Sequence, residues 1–309
     1  MFTYLPQGLP ETAVGAMSSE TLGRYLAQAV DAGSAAVFLI VVALGLVVIF
    51  GIMKVVNMAH GEMFMLGAYT AWWLTGHGIS FWAALVLAPL VVGALGLLVE
   101  RLLIRSLYAR KDLSTLLATA GLSILLQQLV SLSFGTQPRS VESPLSGRIV
   151  ILGQSFSIYQ FAAVGISMLV IAAVYWLLRH TAFGLRARAT VESPEMAGAL
   201  GINGVRMNMS AFALGCALAG FGGAVLAPFS GLSPTMGIDF VVRSFLVVIV
   251  GGSNAIVGAL GGGTVVGGGQ SLLTANFSPT IAEMVMLFVV MVLVVLRPQG
   301  VFSRSSRRV

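Results

Sequence analysis

Residues 35–53 contain nothing but apolar side chains and glycine. At the ~1.5 Å rise per residue of a helix, such a run spans the ~30 Å hydrocarbon layer of a bilayer. Similar runs recur at 81–99, 113–134, 158–178 and 281–296. They are continuously apolar and do not alternate with period two, which argues against a β-barrel. Composition agrees: 57% of residues are hydrophobic and 9% charged, against roughly 45–50% and 25% in ordinary globular domains. The chain therefore reads as all-α, a polytopic helical integral membrane protein with about 8–9 transmembrane helices. Glycine-dense segments at 209–228 and 251–269 point to close helix packing or to re-entrant and broken helices.

Residues 1–32 form a mixed lead. Leu22, Tyr25, Leu26 and Val30 fall at helical spacing, which suits an interfacial helix or a lead-in to the first span. Residues 33–309 then form one transmembrane domain. Trp72 and Trp73 suit the headgroup level. Residues 135–157 read as a loop punctuated by Pro138, Pro144 and several glycines.

Seventeen Lys and Arg against eleven Asp and Glu give a net charge of +6. The basic residues cluster at 101–111, 179–206 and 297–309, between or after spans. That pattern orients a membrane protein and gives no support to nucleic-acid binding. Two spans separate the first two clusters and four the next pair, so all three face the cytoplasm together. The segment near Asn57 leaves the side of the N-terminus open: three spans before Arg101 put it outside, a re-entrant segment inside. The single cysteine, Cys216, excludes an internal disulfide.

Asn57, His60 and Glu62 are the densest polar cluster beside the apolar runs. A carboxylate at the centre of a span costs about 2.5–3.5 kcal/mol, so Glu62 should face protein or water. It can line a substrate path, hold helix segments together, or sit solvated at an interface. Gln127 and Gln128, inside the fourth run, are further candidates for the path. His77 and His180 are not at ligand spacing from the cluster, so no metal site is expected. Neither a nucleophile elbow nor a Walker-type loop is present, so any nucleotide-driven work needs another chain, and no cofactor is implied. Arg243 can snorkel, pair with Glu283 or meet an anionic group of a substrate. The spans show no acid–base pair obviously placed to hold both ends of a zwitterion.

The longest polar interruption is 179–206. Ser193 is a natural N-cap, Pro194 suits the first helical position and Glu195 favours the positive helix end. Gly201 is a natural stop. The resulting helix, 194–200, is too short to stand alone in water and should dock on something through Met196 and Leu200. Glu192, Ala197 and Gly198 complete the segment. Arg186 and Arg188 suit lipid headgroups.

The chain resembles the membrane subunits of ATP-binding-cassette importers for branched-chain amino acids, with the closely similar urea and short-chain amide permeases. Five ordered blocks carry the likeness: Val41 through Asn57-Met-Ala-His-Gly-Glu62; Leu116 through Gln127-Gln128; Phe183-Gly-Leu-Arg-Ala-Arg-Ala; Ala197-Gly-Ala-Leu-Gly-Ile202; and Leu296-Arg-Pro-Gln-Gly-Val-Phe302. The resemblance implies a multi-pass protein of the bacterial plasma (inner) membrane that is itself no enzyme. It also implies cytoplasmic ATP-binding subunits, a second permease subunit, an extracytoplasmic substrate-binding protein and membrane lipid as partners. It makes 179–206 the coupling loop. Met58 stands where amino-acid members often carry Phe and looks more like the urea branch. The lack of a large extracytoplasmic N-terminal domain points the other way.

Overall fold

The computed structural model describes residues 11–108, 112–252, 255–297 and 300–302; of residues 11–20, 112 and 255 it describes the backbone alone. The basic residues Arg110 and Lys111, Pro298 and the tail 303–309 lie outside the described residues. In order the elements are α1 (Glu11–Met53), α2 (His60–Gly76), α3 (Phe81–Leu102), α4 (Asp112–Phe134), β1 (Arg148–Ile151), β2 (Gln154–Ser157), α5 (Ile158–His180), α6 (Ala182–Glu192), α7 (Pro194–Ala199), α8 (Gly204–Leu226), α9 (Met236–Gly251), α10 (Ala255–Gly263), a π-helical turn (Thr264–Gly268), α11 (Gly269–Asn276) and α12 (Pro279–Leu296). Among the described residues seven helices are long and apolar enough to cross a membrane. α2 and α9, of 17 and 16 residues, are the two shorter ones that fill out the bundle.

From Glu11 onward the lead and the first span are one helix. α1 runs unbroken from Glu11, and Gly23 packs on Leu152 of the hairpin while Leu22 and Tyr25 stay exposed. Residues 11–32 are therefore continuous with the span. The 135–157 loop is also more ordered than its glycines and prolines suggest. β1 and β2 pair antiparallel, Arg148 with Ser157 through Ile151 with Gln154. Leu152 and Gly153 join them, both at positive φ (50° and 78°), which is the conformation that a tight two-residue hairpin needs.

Aromatic contacts tie together the ends that lie opposite the basic clusters. Tyr159 at the start of α5 touches Phe81 of α3 and stacks on Phe229, which also meets Phe38 of α1. Trp72 and Tyr69 near the end of α2 meet Phe134 at the end of α4. With the basic clusters inside, this layer is extracytoplasmic. By the same charge rule, α1 runs from that layer toward the basic side.

α8 is the centre of the bundle, packed by α1, α2 and α3. Its small residues let backbones touch. A side chain on Gly223 would meet the Phe64 carbonyl, and one on Gly67 the Gly220 backbone. In lipid such close packing replaces the hydrophobic driving force that holds soluble helices together. α4, α5 and α12 are peripheral and expose apolar surface, with Leu132 83% and Val295 77% exposed.

Two excursions break the helical pattern. The chain leaves α1 at Met53 on the inner side, yet His60 reaches the carbonyl of Val42. Val42 lies eleven residues back along α1, about 16 Å of helix rise. Residues 54–59 therefore climb back into the membrane, and α2 starts near mid-depth and runs outward. From the outer end of α8, residues 227–235 descend in the same manner, and α9 starts beside Gly61 and runs inward. Gly61 and Gly237 contact reciprocally: a side chain on either would meet the other's carbonyl. The set α1–α4 and the set α8–α12 thus traverse the membrane in opposite senses, with two half-helix N-termini meeting at the crossing. That is the arrangement of an inverted-topology repeat.

Candidate functional site

The inner excursion is built by its own polar residues. Lys54 takes a positive φ of 56°, turning the chain back. Asn57 Oδ1 accepts from the Ala59 amide at 3.1 Å, and its carbonyl accepts from the His60 amide. The second satisfies the first amide of α2, and the first closes a side-chain turn within the loop that precedes it. The Met58 amide donates to Thr119 Oγ1 of α4 at 3.2 Å. His60 Nε2 lies 3.0 Å from the Val42 carbonyl. Since a carbonyl only accepts, Nε2 carries the proton and the ring is anchored to α1.

Glu62 follows in the first turn of α2. Its Oε1 accepts from Ser123 Oγ at 2.9 Å and from Gln127 Nε2 at 2.8 Å. Ser123 and Gln127, four apart, share one face of α4. Gln128, one position on, is exposed on another face and does not join the cluster. Oε2 lies where a side chain on Gly237 would stand, in the first turn of α9. The carboxylate thus sits at two positive helix ends, each worth about 0.3–1 kcal/mol at an exposed site and up to ~2 where partly buried. Dipoles and two donors hold a carboxylate that has no cationic partner among the described residues.

Asn57, His60 and Glu62 are 0%, 0% and 1% exposed. Asn57 Nδ2, His60 Nδ1 and Glu62 Oε2 nonetheless lack hydrogen-bond partners. Buried polar atoms are normally paired, and three without a partner within six residues set this cluster apart from the surrounding bundle. Among the described residues no group of three His, Cys, Asp and Glu is placed to hold a metal ion.

The second set of residues lies on the cytoplasmic side. α7 begins as its residues dictate: Ser193 Oγ accepts from the Met196 amide and Pro194 opens the helix. It ends in a Schellman motif, with Ile202 N–H to the Ala197 carbonyl, Gly201 N–H to that of Gly198, and Gly201 at φ +81°. Ala197 packs inward while Met196 and Leu200 are 64% and 76% exposed. Glu192, Pro194, Glu195 and Gly198 are exposed as well. Beside α7 opens a groove of about 440 Å³, lined by Phe183, Leu200, Met207 and the cations Arg186 and Arg206. Arg188 instead turns back to cap the Leu178 carbonyl at the end of α5.

Two features escaped the sequence reading. α6 (Ala182–Glu192) makes the segment 179–206 two helices instead of one, and its Gly184 packs on the Leu178 backbone. The second is the bond from Tyr108 to the buried Glu100 at 2.5 Å, which ties the chain after α3 back onto that helix. Burial, with the Glu100 bond and charge, pushes the Tyr108 phenol above its usual range, so it stays a donor.

The family model described as branched-chain amino acid transport system, permease component, matches residues 30–295. The high-affinity branched-chain amino acid transport system permease protein LivH of Escherichia coli K12 is 29% identical over 286 residues, covering 86% of this chain and 91% of that one. The corresponding BraD of Pseudomonas aeruginosa is 26% identical over 298 residues, covering 92% and 97%. The probable LivH of Methanocaldococcus jannaschii is 30% identical over 243 residues, covering 76% and 77%. No solved structure matches the chain. With the model spanning most of the bundle, the chain belongs to the family of branched-chain amino acid transport permease components, polytopic subunits of the inner membrane.

Proposed function

We propose that this chain forms part of the translocation path of an importer for branched-chain amino acids, driven by a separate ATP-binding subunit. The observation that carries the reading is α7: a short, doubly capped helix that shows Met196 and Leu200 to the cytoplasm and buries only Ala197. A helix this short gains its stability by docking. Met196 and Leu200 are the anchors for a groove on the ATP-binding subunit, flanked by Glu192, Glu195 and Gly198, with Pro194 and Gly201 fixing the two ends. α6 and α7 lie between α5 and α8, so movement of the docked helix is transmitted to the central helix. Relatives named for branched-chain amino acid transport favour that substrate over urea.

Asn57, His60, Glu62 and Gln127 form the polar part of the path at mid-membrane, closed in this conformation, with Gln128 contributing from the exposed face of α4. A second permease subunit completes the channel, lipid covers the remaining apolar faces, and an extracytoplasmic binding protein delivers the substrate. Reconstitution tests the scheme. Leucine uptake into liposomes should require ATP, the ATP-binding subunits and the binding protein together. Uptake by the membrane chain alone on an ion gradient would overturn it.

A further inference from the structure

Toward the outer face, a cavity of about 490 Å³ opens between α1, α5, α9, α11 and α12, within the ~300–1,000 Å³ range of small-molecule sites. Its charged residues are Asp31, Arg243 and Glu283. They come from three helices far apart in sequence, which is why no zwitterion site was legible along the spans. Arg243 is half-buried and lies 6.0 Å over the Phe240 ring. Among the described residues it forms no ion pair, although two carboxylates share its cavity. Asp31 is held from one side only: Gln160 Nε2 donates to Oδ1 at 2.9 Å and also reaches Ser34 Oγ. That orientation leaves Oδ2 as an acceptor.

The wall between these charges is apolar, formed by Phe38, Leu39, Phe229 and Phe240. Val266 and Gly267 close it from the π-helical turn, and such turns occur frequently at functional sites. Phe240 also stacks on Phe64 of α2 at 3.9 Å, two residues from Glu62. The cavity therefore adjoins the mid-membrane crossing.

We propose that this cavity is an outer binding site for a zwitterionic aliphatic amino acid. Arg243 takes the carboxylate, Asp31 and Glu283 take the ammonium, and the aromatic wall takes the side chain. The guanidinium fork suits a carboxylate in two-point geometry; a simple acid would leave both carboxylates unmatched and a simple amine would leave Arg243 unmatched, so a ligand carrying both charges fits best. The proposal rests on the amino-acid reading above, and adds a selective site to a permease whose path otherwise shows little charge.

The test uses the permease with its ATP-binding subunits in lipid nanodiscs, carrying Thr274→Cys at the cavity lining, with Ser271→Cys as a second position. The only native thiol, Cys216, is fully buried, so its background labelling is low. A polar maleimide should label the new thiol, and L-leucine should slow labelling about tenfold. Leucinamide, lacking the carboxylate, and isovalerate, lacking the ammonium, should protect far less. Adding Arg243→Gln should weaken leucine protection about ten- to a hundredfold. Equal protection in the Arg243→Gln complex, no slowing by leucine, or a thiol closed to the polar reagent by lipid would each overturn the site. Leucine uptake by proteoliposomes of the unaltered complex is measured in parallel. Uptake without thiol protection removes this site and leaves the importer reading standing; no uptake removes both.

Discussion

A side chain added at Gly223 runs into the Phe64 carbonyl and the Ala68 amide, whereas one added at Gly198 meets nothing within 4 Å. The two glycines belong to regions of opposite design. At the mid-membrane crossing, α1, α2, α8 and α9 touch backbone to backbone around polar residues that are almost wholly buried. At the cytoplasmic segment 179–206, a helix of six residues leaves Met196 and Leu200 in the open. The first region buries its contacts within the chain; the second, on the reading proposed above, is completed by a partner. Sensitivity of the fold and sensitivity of the function should therefore separate between them.

The sharpest separation comes from Gly223→Val against Gly198→Val. The first forces two backbones apart, and overpacking costs typically 1–3 kcal/mol even where only side chains must yield. The expected outcome is loss of folded protein from the membrane, read by detergent-solubilised yield and thermal stability. Gly198→Val should keep normal yield, so that any loss of ATP-binding-subunit copurification reports docking alone. Equal yields for the two variants would break the comparison.

Met196→Asp with Leu200→Asp is the next largest. At ~2 kcal/mol for each anchor, losing both lowers affinity for the ATP-binding subunit about a thousandfold. The spans should remain inserted, so copurification vanishes at unchanged membrane yield. Unchanged copurification would make α7 a connector.

Glu62→Gln probes the crossing itself. The amide keeps an acceptor for Ser123 and Gln127. It removes the charge at the two helix N-termini and points an N–H donor at one of them. Leucine uptake should fall about tenfold, the scale of one such charge interaction, with membrane yield nearly unchanged. A drop in yield, with normal transport by the surviving fraction, would make the cluster a structural clamp.

The smallest effect is expected from Ser193→Ala. Removing the N-cap costs about 1 kcal/mol, or roughly fivefold in the helical population of α7. Binding-protein-stimulated ATP hydrolysis should fall by no more than that factor while basal hydrolysis holds. A larger loss would mean that Ser193 contacts the partner directly.

Much of this molecule was legible because the membrane narrows the choices. With no water to satisfy backbone groups in lipid, an apolar run near twenty residues must be a helix, and the runs at 81–99 and 158–178 appear as α3 and α5. α7 was legible for another reason: Ser193, Pro194 and Gly201 each act on the turn of chain beside them, and the structure shows the cap and the positive φ they encode. The hairpin at 148–157 was not legible, since its turn residues are Leu152 and Gly153, and Leu is not a residue that advertises positive φ. Residues 182–192 gave no sign of α6, whose apolar face is set by packing on α5.

The sequence by itself determined the class, the orientation set by Arg and Lys, and the short capped helix between two spans. These follow from hydropathy, charge and local conformational preference, which act over a few residues. The tertiary structure decided that residues 54–59 turn back into the membrane, that Gly61 and Gly237 cross, and that Glu62 faces Ser123 and Gln127 but not Gln128. It alone brought Asp31, Arg243 and Glu283 to one cavity. Those pairings join residues tens to hundreds of positions apart, and no local rule encodes which helix faces meet. They are fixed by which glycine-bearing surfaces pack closest, a property of the assembled bundle.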